Sequence, residues 1–200
     1  MKKRMIAIVA LAAFGAALAF GDAKADLDEG IRYHNLAQKE PAGNIEKCKK
    51  LLNPLKDREP LARGYYGSVL TIEAGVMNDR KKFVKAIMLL DQGTDFMDTA
   101  VKKAPDFADL RFLRMINSYE LTNGSPMNRY RVMKEDIDWL DAHRSGLSDS
   151  GKGTLELYKG LYLVKQRKTD EGIAAFNACV AVSPGSEEAK EAERQLARYK

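Results

Sequence analysis

From residue 27 onward, apolar residues recur every three or four positions, and no convincing stretch alternates strictly between apolar and polar. The pattern therefore predicts an all-α protein of about nine helices. Leu27, Ile31 and His34 share one face of a first helix over 27–39, capped by Asp26 and ended by Pro41 and Gly43. Ile45, Cys48, Leu51 and Leu52 mark a second, capped by Asn44 and cut by Pro54. Pro60 suits the first turn of a third helix to about residue 77, with Tyr65 or Tyr66, Val69, Ile72 and Val76 inward. Gly64, Gly67 and Gly75 each weaken that helix by roughly 1 kcal/mol relative to Ala, and close helix packing is the expected compensation. The longest pattern, 79–103, places Phe83, Ile87, Leu90, Thr94, Met97 and Val101 inward and ends on Lys102 and Lys103 before Pro105. Helices over about 106–121 and 128–144 follow, the first with Leu110, Leu113 and Ile116 inward, the second with Met133, Ile137 and Leu140. The glycine- and serine-rich loop 145–153 is the expected mobile joint.

Residues 153–184, GTLELYKGLYLVKQRKTDEGIAAFNACVAVSP, read as helix, tight turn and helix. Gly160, Phe176 and Pro184 fall in the glycine, aromatic and terminal proline slots of the tetratricopeptide (TPR) repeat, a helical hairpin of about 34 residues, which this stretch resembles. Glu156, Leu163, Gly172 and Cys179 depart from that pattern, standing where the family prefers Trp, Tyr, Ala and Ala. Residues 90–117 are similar to a hairpin of exported bacterial TPR-like proteins, with an Ala-Pro boundary before Arg111-Phe112-Leu113-Arg114. The resemblance implies stacked antiparallel hairpins in a short, irregular α-solenoid, closed by a polar capping helix over 186–199. It is irregular because neither Pro60 to Pro105 nor Pro105 to Pro184 is a multiple of the repeat length.

The first 25 residues change the picture of address. Lys2, Lys3 and Arg4, an apolar run from Met5 to Phe20 and the site Ala23-Lys24-Ala25 have the layout of a signal peptide cleaved before Asp26. An uncleaved anchor is the alternative. No cysteine follows the run to accept a lipid, so residues 26–200 are expected as a single helical domain, periplasmic or secreted, with no stable membrane insertion. Cleavage removes four cations and Asp22, lowering the formal net charge from +5 to +2. That small excess, with signs alternating along the helices, argues against nucleic acid as a partner.

Candidate chemistry is sparse. Cys48 and Cys179 lie in the first and last hairpins, so an extended array predicts two buried thiols rather than a disulfide. His34 and His143 have no neighbour at metal-ligand spacing, and Gly151-Lys152-Gly153-Thr154 lacks the length of a phosphate loop. No nucleophile elbow is present. No catalytic, cofactor or metal residue is therefore assigned.

Arg111 and Arg114 share one side of the fifth helix and suit a carboxylate, or else pair with Glu135, Asp136 and Asp138 on the next helix. Tyr65, Tyr66 and Tyr158, among the tyrosines, are candidate anchors for a partner, although aromatic residues at helical spacing are more often core. The reading that follows is a non-enzymatic, exported scaffold binding a protein or peptide. Its rivals are a helical small-ligand-binding protein and an enzyme that would bring Glu73 or Glu120 near a histidine.

Overall fold

The computed structural model describes residues 21–199. Among them are α1 (Gly21–Lys39), α2 (Asn44–Leu52), α3 (Pro60–Asp79), α4 (Phe83–Lys103), α5 (Ala108–Gly124), α6 (Tyr130–Ala142), α7 (Asp149–Lys165), α8 (Thr169–Val182) and α9 (Glu187–Leu196), with one 3-10 turn at Arg144–Gly146 and no strand. The protein is all-α, and its described residues form the nine helices that the periodicity predicts. It divides into two compact units after Leu113, so that α5 contributes its first turns to one and the rest to the other.

Most of the signal-peptide reading falls on residues 1–20, outside the described residues, and the expected cleavage point after Ala25 lies inside α1. Asp26 is consequently within α1 rather than at its cap, because Ala23, Lys24 and Ala25 are good helix formers and Ala23 packs against the core. Asn44 does not cap α2 either. Gly43 takes the cap position at φ 74°, and the Asn44 amide donates instead to the Glu40 carbonyl at 2.7 Å.

In the first unit, Ile45, Cys48 and Leu52 recur at helical spacing and turn one face of α2 onto Ala62, Tyr65 and Val69 of α3, with Ala37 of α1 and Leu55 completing the core. Burying each large apolar side chain contributes about 1.5–3 kcal/mol, which offsets the modest intrinsic stability of a nine-residue helix.

The arms of the α3–α4 hairpin meet at two glycines. A Cβ on Gly67 would lie 2.5 Å from the Gly93 carbonyl oxygen and 2.8 Å from Phe96 Cβ, and one on Gly93 would lie 2.6 Å from the Gly67 oxygen. Gly75 differs from the expectation of close packing, since a Cβ there meets nothing within 4 Å. Two neighbouring glycines of one helix should therefore respond oppositely to alanine. Gly67→Ala should cost about 1–3 kcal/mol by forcing backbones apart, whereas Gly75→Ala should stabilise by up to about 1 kcal/mol through helix propensity. Urea unfolding of the two variants measures both, and equal effects would mean that the crossing yields without strain.

The hairpin turns tightly at Arg80–Lys82. Lys82 N–H donates to the Met77 carbonyl and Lys81 N–H to that of Asn78, both at 2.9 Å, with Lys81 at φ 59°. This is the Schellman arrangement with lysine in the left-handed position that usually holds glycine. The turn explains why α4 starts at Phe83 rather than at 79.

The second unit repeats the device. In the α7–α8 turn, Lys168 N–H donates to Leu163 O and Arg167 N–H to Val164 O, both at 3.0 Å, with Arg167 at φ 63°. Its arms also cross at glycines: a Cβ on Gly160 would lie 2.5 Å from the Phe176 ring and 3.1 Å from the Gly172 oxygen. Ala104 and Ser183, each before a proline, end α4 and α8 with nearly the same backbone, φ −136° and −135°. Measured from its glycine crossing to its turn, each arm of α3–α4 is longer than its α7–α8 counterpart by about seven residues, roughly two turns.

The loop expected over 145–153 is shorter than the composition suggests. Ser148 caps α7 by accepting from Gly151 N–H, so Gly151 and Gly153 are helical, and Gly153 lets Ser183 approach where a Cβ would collide with its hydroxyl. At the C-terminal end, the Ser186 hydroxyl caps α9 by accepting from Ala189 N–H at 3.0 Å. Ala189 and Ala192 are buried there, while Tyr199 lies exposed beyond it.

Candidate functional site

The five residues singled out for partner binding fall into different environments. Tyr65 is buried in the first unit against the edge of the His34 ring, 4.9 Å between centres, and burial pushes its phenol well above its ordinary pKa. Tyr158 is buried in the second unit with Tyr119 at 5.6 Å, and burial raises its phenol as well. Arg111 donates through Nε and Nη2 to the Pro105 carbonyl at 3.2 and 3.0 Å, which ties α5 back to the α4–α5 connection.

Arg114 is buried and forks onto Asp136. Its Nε donates to Oδ2 at 2.8 Å and its Nη2 to Oδ1 at 2.7 Å, with Glu135 at 4.0 Å. This is the pairing with the acidic face of the next helix. Its planar, bidentate geometry is what a guanidinium offers a carboxylate, and here the carboxylate is the protein's own.

Tyr66 alone of the three tyrosines is half-buried rather than buried. It meets Phe96 of α4 edge to face, with ring centres 5.4 Å apart, one residue from the Gly67–Gly93 crossing that brings the two arms together. Lys56 Nζ stands 5.5 Å from the Tyr66 centre, and the Arg63 guanidinium 5.4 Å from that of Phe96. Arg63 is oriented from behind, donating to the Lys56 carbonyl at 2.8 Å and to Asp57 at 2.7 Å. On the same helix Glu73 accepts from Lys49 at 2.7 Å and faces Lys85 at 3.8 Å. The result is a half-buried aromatic pair flanked by two cations, both of which also meet Asp57, Lys56 at 3.5 Å and Arg63 at 2.7 Å.

The periodicity assigns no role to Phe96, because it lies one residue outside the inward stripe that contains Met97. The available signal was its size: a large ring beside a buried stripe is unusual unless something covers its edge.

The titratable groups that an enzyme would need are dispersed. His34 is fully buried, with Nε2 2.8 Å from Ser68 Oγ and Nδ1 3.2 Å from Asn35 Oδ1. A proton on Nδ1 and a Ser68 hydroxyl donating to Nε2 satisfy the neutral ring. His143 is exposed and stacks on Trp139 at 3.9 Å. Neither histidine's contacts include Glu73 or Glu120. Cys48 and Cys179 are buried free thiols, pushed by burial up to about 12 and about 11. Among the described residues no three His, Cys, Asp or Glu side chains converge as a metal site would require.

Three of the positions that depart from the TPR pattern have a packing reason. Glu156 is buried and paired with Arg144, Gly172 makes room for the Val164 side chain, and Cys179 is wholly enclosed. No family model, curated protein or solved structure matches the chain.

Proposed function

We propose that the chain is a non-enzymatic, exported, TPR-like scaffold that holds a protein or peptide partner on the outer face of its α3–α4 hairpin. The observation that carries this reading is the half-buried Tyr66–Phe96 pair flanked by Lys56 and Arg63. Paired rings provide apolar contact at small entropic cost, and flanking cations select a segment that carries an aliphatic or aromatic residue next to a carboxylate. Tyr66 supplies the anchoring role expected of the tyrosines. Arg63 and Lys56 take over the orienting role that the sequence suggested for Arg111 and Arg114.

Affinity capture of partners from the envelope of the source cell, followed by titration of the recovered partner, tests the proposal. Phe96→Ala should weaken binding by about 2 kcal/mol or more, roughly thirtyfold, with Tyr66→Ala similar and Arg63→Gln smaller and salt-dependent. Binding unchanged in a folded Tyr66→Ala/Phe96→Ala variant would move the site elsewhere. Recovery of a bound small molecule in place of a protein would favour a ligand carrier.

A further inference from the structure

The first two turns of α4 do not follow the inward pattern read from their spacing. The stripe places Phe83 and Ile87 inside, but they are 57% and 51% exposed, and Val84 and Met88 are 65% exposed or more. Only Ala86 from this segment is buried. On a helical wheel the four side chains occupy an arc of about 140° beside the buried stripe, so they form one continuous apolar face. That face coincides with the extra two turns by which α3–α4 outreaches α7–α8. The shorter hairpin begins its second arm where this segment has ended, with the polar pair Thr169 and Asp170.

Charge surrounds the face on the side of the turn. Arg80, Lys81, Lys82 and Lys85 are all exposed, against the single carboxylate Asp79 between residues 79 and 88. Farther along α4, Asp91 and Asp95 are exposed on the same side of the helix and end the apolar arc. From Phe83 to Met88 the helix rises about 7.5 Å. Apolar residues at a hairpin tip, cations around them and carboxylates beyond them match the layers of an anionic lipid interface, into which such a face sinks about 5–10 Å.

We propose that the α3–α4 tip docks peripherally on anionic lipid, with Phe83, Val84, Ile87 and Met88 entering the headgroup–acyl boundary and Arg80, Lys81, Lys82 and Lys85 meeting lipid phosphates. Charge complementarity selects this occupant. A second copy seated on the same patch by a two-fold axis would bring the two basic clusters together, and four side chains cover too little area for a stable dimer. Contact is at the interface only, since no helix among the described residues is long and apolar enough to cross a bilayer. The site lies on exposed groups distinct from the Tyr66–Phe96 pair, so it stands or falls separately from the partner-binding proposal.

The test uses full-length protein and vesicles of phosphatidylcholine, alone or mixed with phosphatidylglycerol. All variants share residues 1–25, so differences between them report the tip. Val84→Trp, with Trp139 the single native tryptophan, should show a blue-shifted emission on phosphatidylglycerol vesicles and little change on phosphatidylcholine. Phe83→Ser/Met88→Ser and Arg80→Gln/Lys82→Gln should each lower the binding constant about tenfold, the second pair also flattening its dependence on salt. These positions are exposed, and unchanged thermal unfolding confirms that the variants fold. An unshifted emission from the Val84→Trp variant would overturn the proposal. So would equal binding by the apolar double variant, or a protein dimer in solution that Phe83→Ser/Met88→Ser dissociates.

Discussion

Asp136→Ala is expected to destabilise the protein by about 3–5 kcal/mol, a large fraction of the stability of a domain this size. The Asp136 side chain is fully buried, and the Arg114 side chain facing it is 7% exposed. Removing the carboxylate leaves a desolvated cation that has lost both of its hydrogen bonds to Asp136, and water reaches it poorly. Replacing both residues together, as Arg114→Met/Asp136→Leu, should recover most of the loss or exceed the parent, because the apolar pair carries no desolvation cost. A double-mutant cycle in urea separates these outcomes. A single-variant loss below about 1 kcal/mol would mean that solvent screens the pair as it does at a surface. The same geometry ties Arg114 to the protein's own carboxylate, joining α5 to α6 through two hydrogen bonds.

The second large effect is a dependence on pH. Burial lowers the His34 pKa from 6.5 to about 4, opposed only by the Asn35 side chain. The folded protein therefore holds a neutral ring where the unfolded chain binds a proton. Its contribution is complete above about pH 6.5, declines as pH falls through that value and levels off near pH 4, where the folded state also protonates. The total is about 3 kcal/mol, with a slope approaching 1.4 kcal/mol per pH unit. His34→Gln keeps a donor and an acceptor beside Ser68 and Asn35 but cannot titrate. Comparing the two proteins by urea unfolding between pH 7 and 4.5 removes the carboxylate background they share. If their stabilities run parallel, the ring is reached by solvent and the shift is absent.

Both effects arise from polar groups enclosed by helices that the chain brings together over long separations, 22 residues for Arg114 with Asp136 and 34 for His34 with Ser68. Helical periodicity reports which side of a helix a residue occupies, not how far its neighbour extends. The expectation for α4 illustrates this. Leu90, Thr94, Met97 and Val101 are buried as the stripe predicts, while Phe83 and Ile87, two turns and one turn before Leu90 on the same stripe, lie open. The stripe continues where the covering surface stops.

A signal for that overhang was present. Tyr65-Tyr66-Gly67 and Tyr158-Lys159-Gly160 share a Tyr-x-Gly pattern, Asp91-Gln92-Gly93 and Asp170-Glu171-Gly172 an Asp-x-Gly pattern, and Ala104-Pro105 and Ser183-Pro184 a small residue before a closing proline. The first helices align at an offset of 93 residues and the second at 79, so one hairpin contains about fourteen more residues between its glycines. A fixed repeat length of about 34 residues hides such a relation, because an insertion at the hairpin tip breaks the spacing without disturbing the packing at its base.

The helical class, nearly all the helix limits to within a few residues and the proline-marked ends are legible in the residue pattern alone. These follow from local physics: backbone hydrogen bonding within a segment, the fixed φ of proline and a 3.6-residue period. Tertiary structure decided which members of each stripe are covered, that Arg114 and His34 are internal while Tyr66 and Phe96 reach solvent, and that the α3–α4 tip carries an open apolar face. Those outcomes depend on crossing points and arm lengths, where a missing Cβ at Gly67 and Gly93 sets the approach of two helices and two added turns carry one of them beyond its cover.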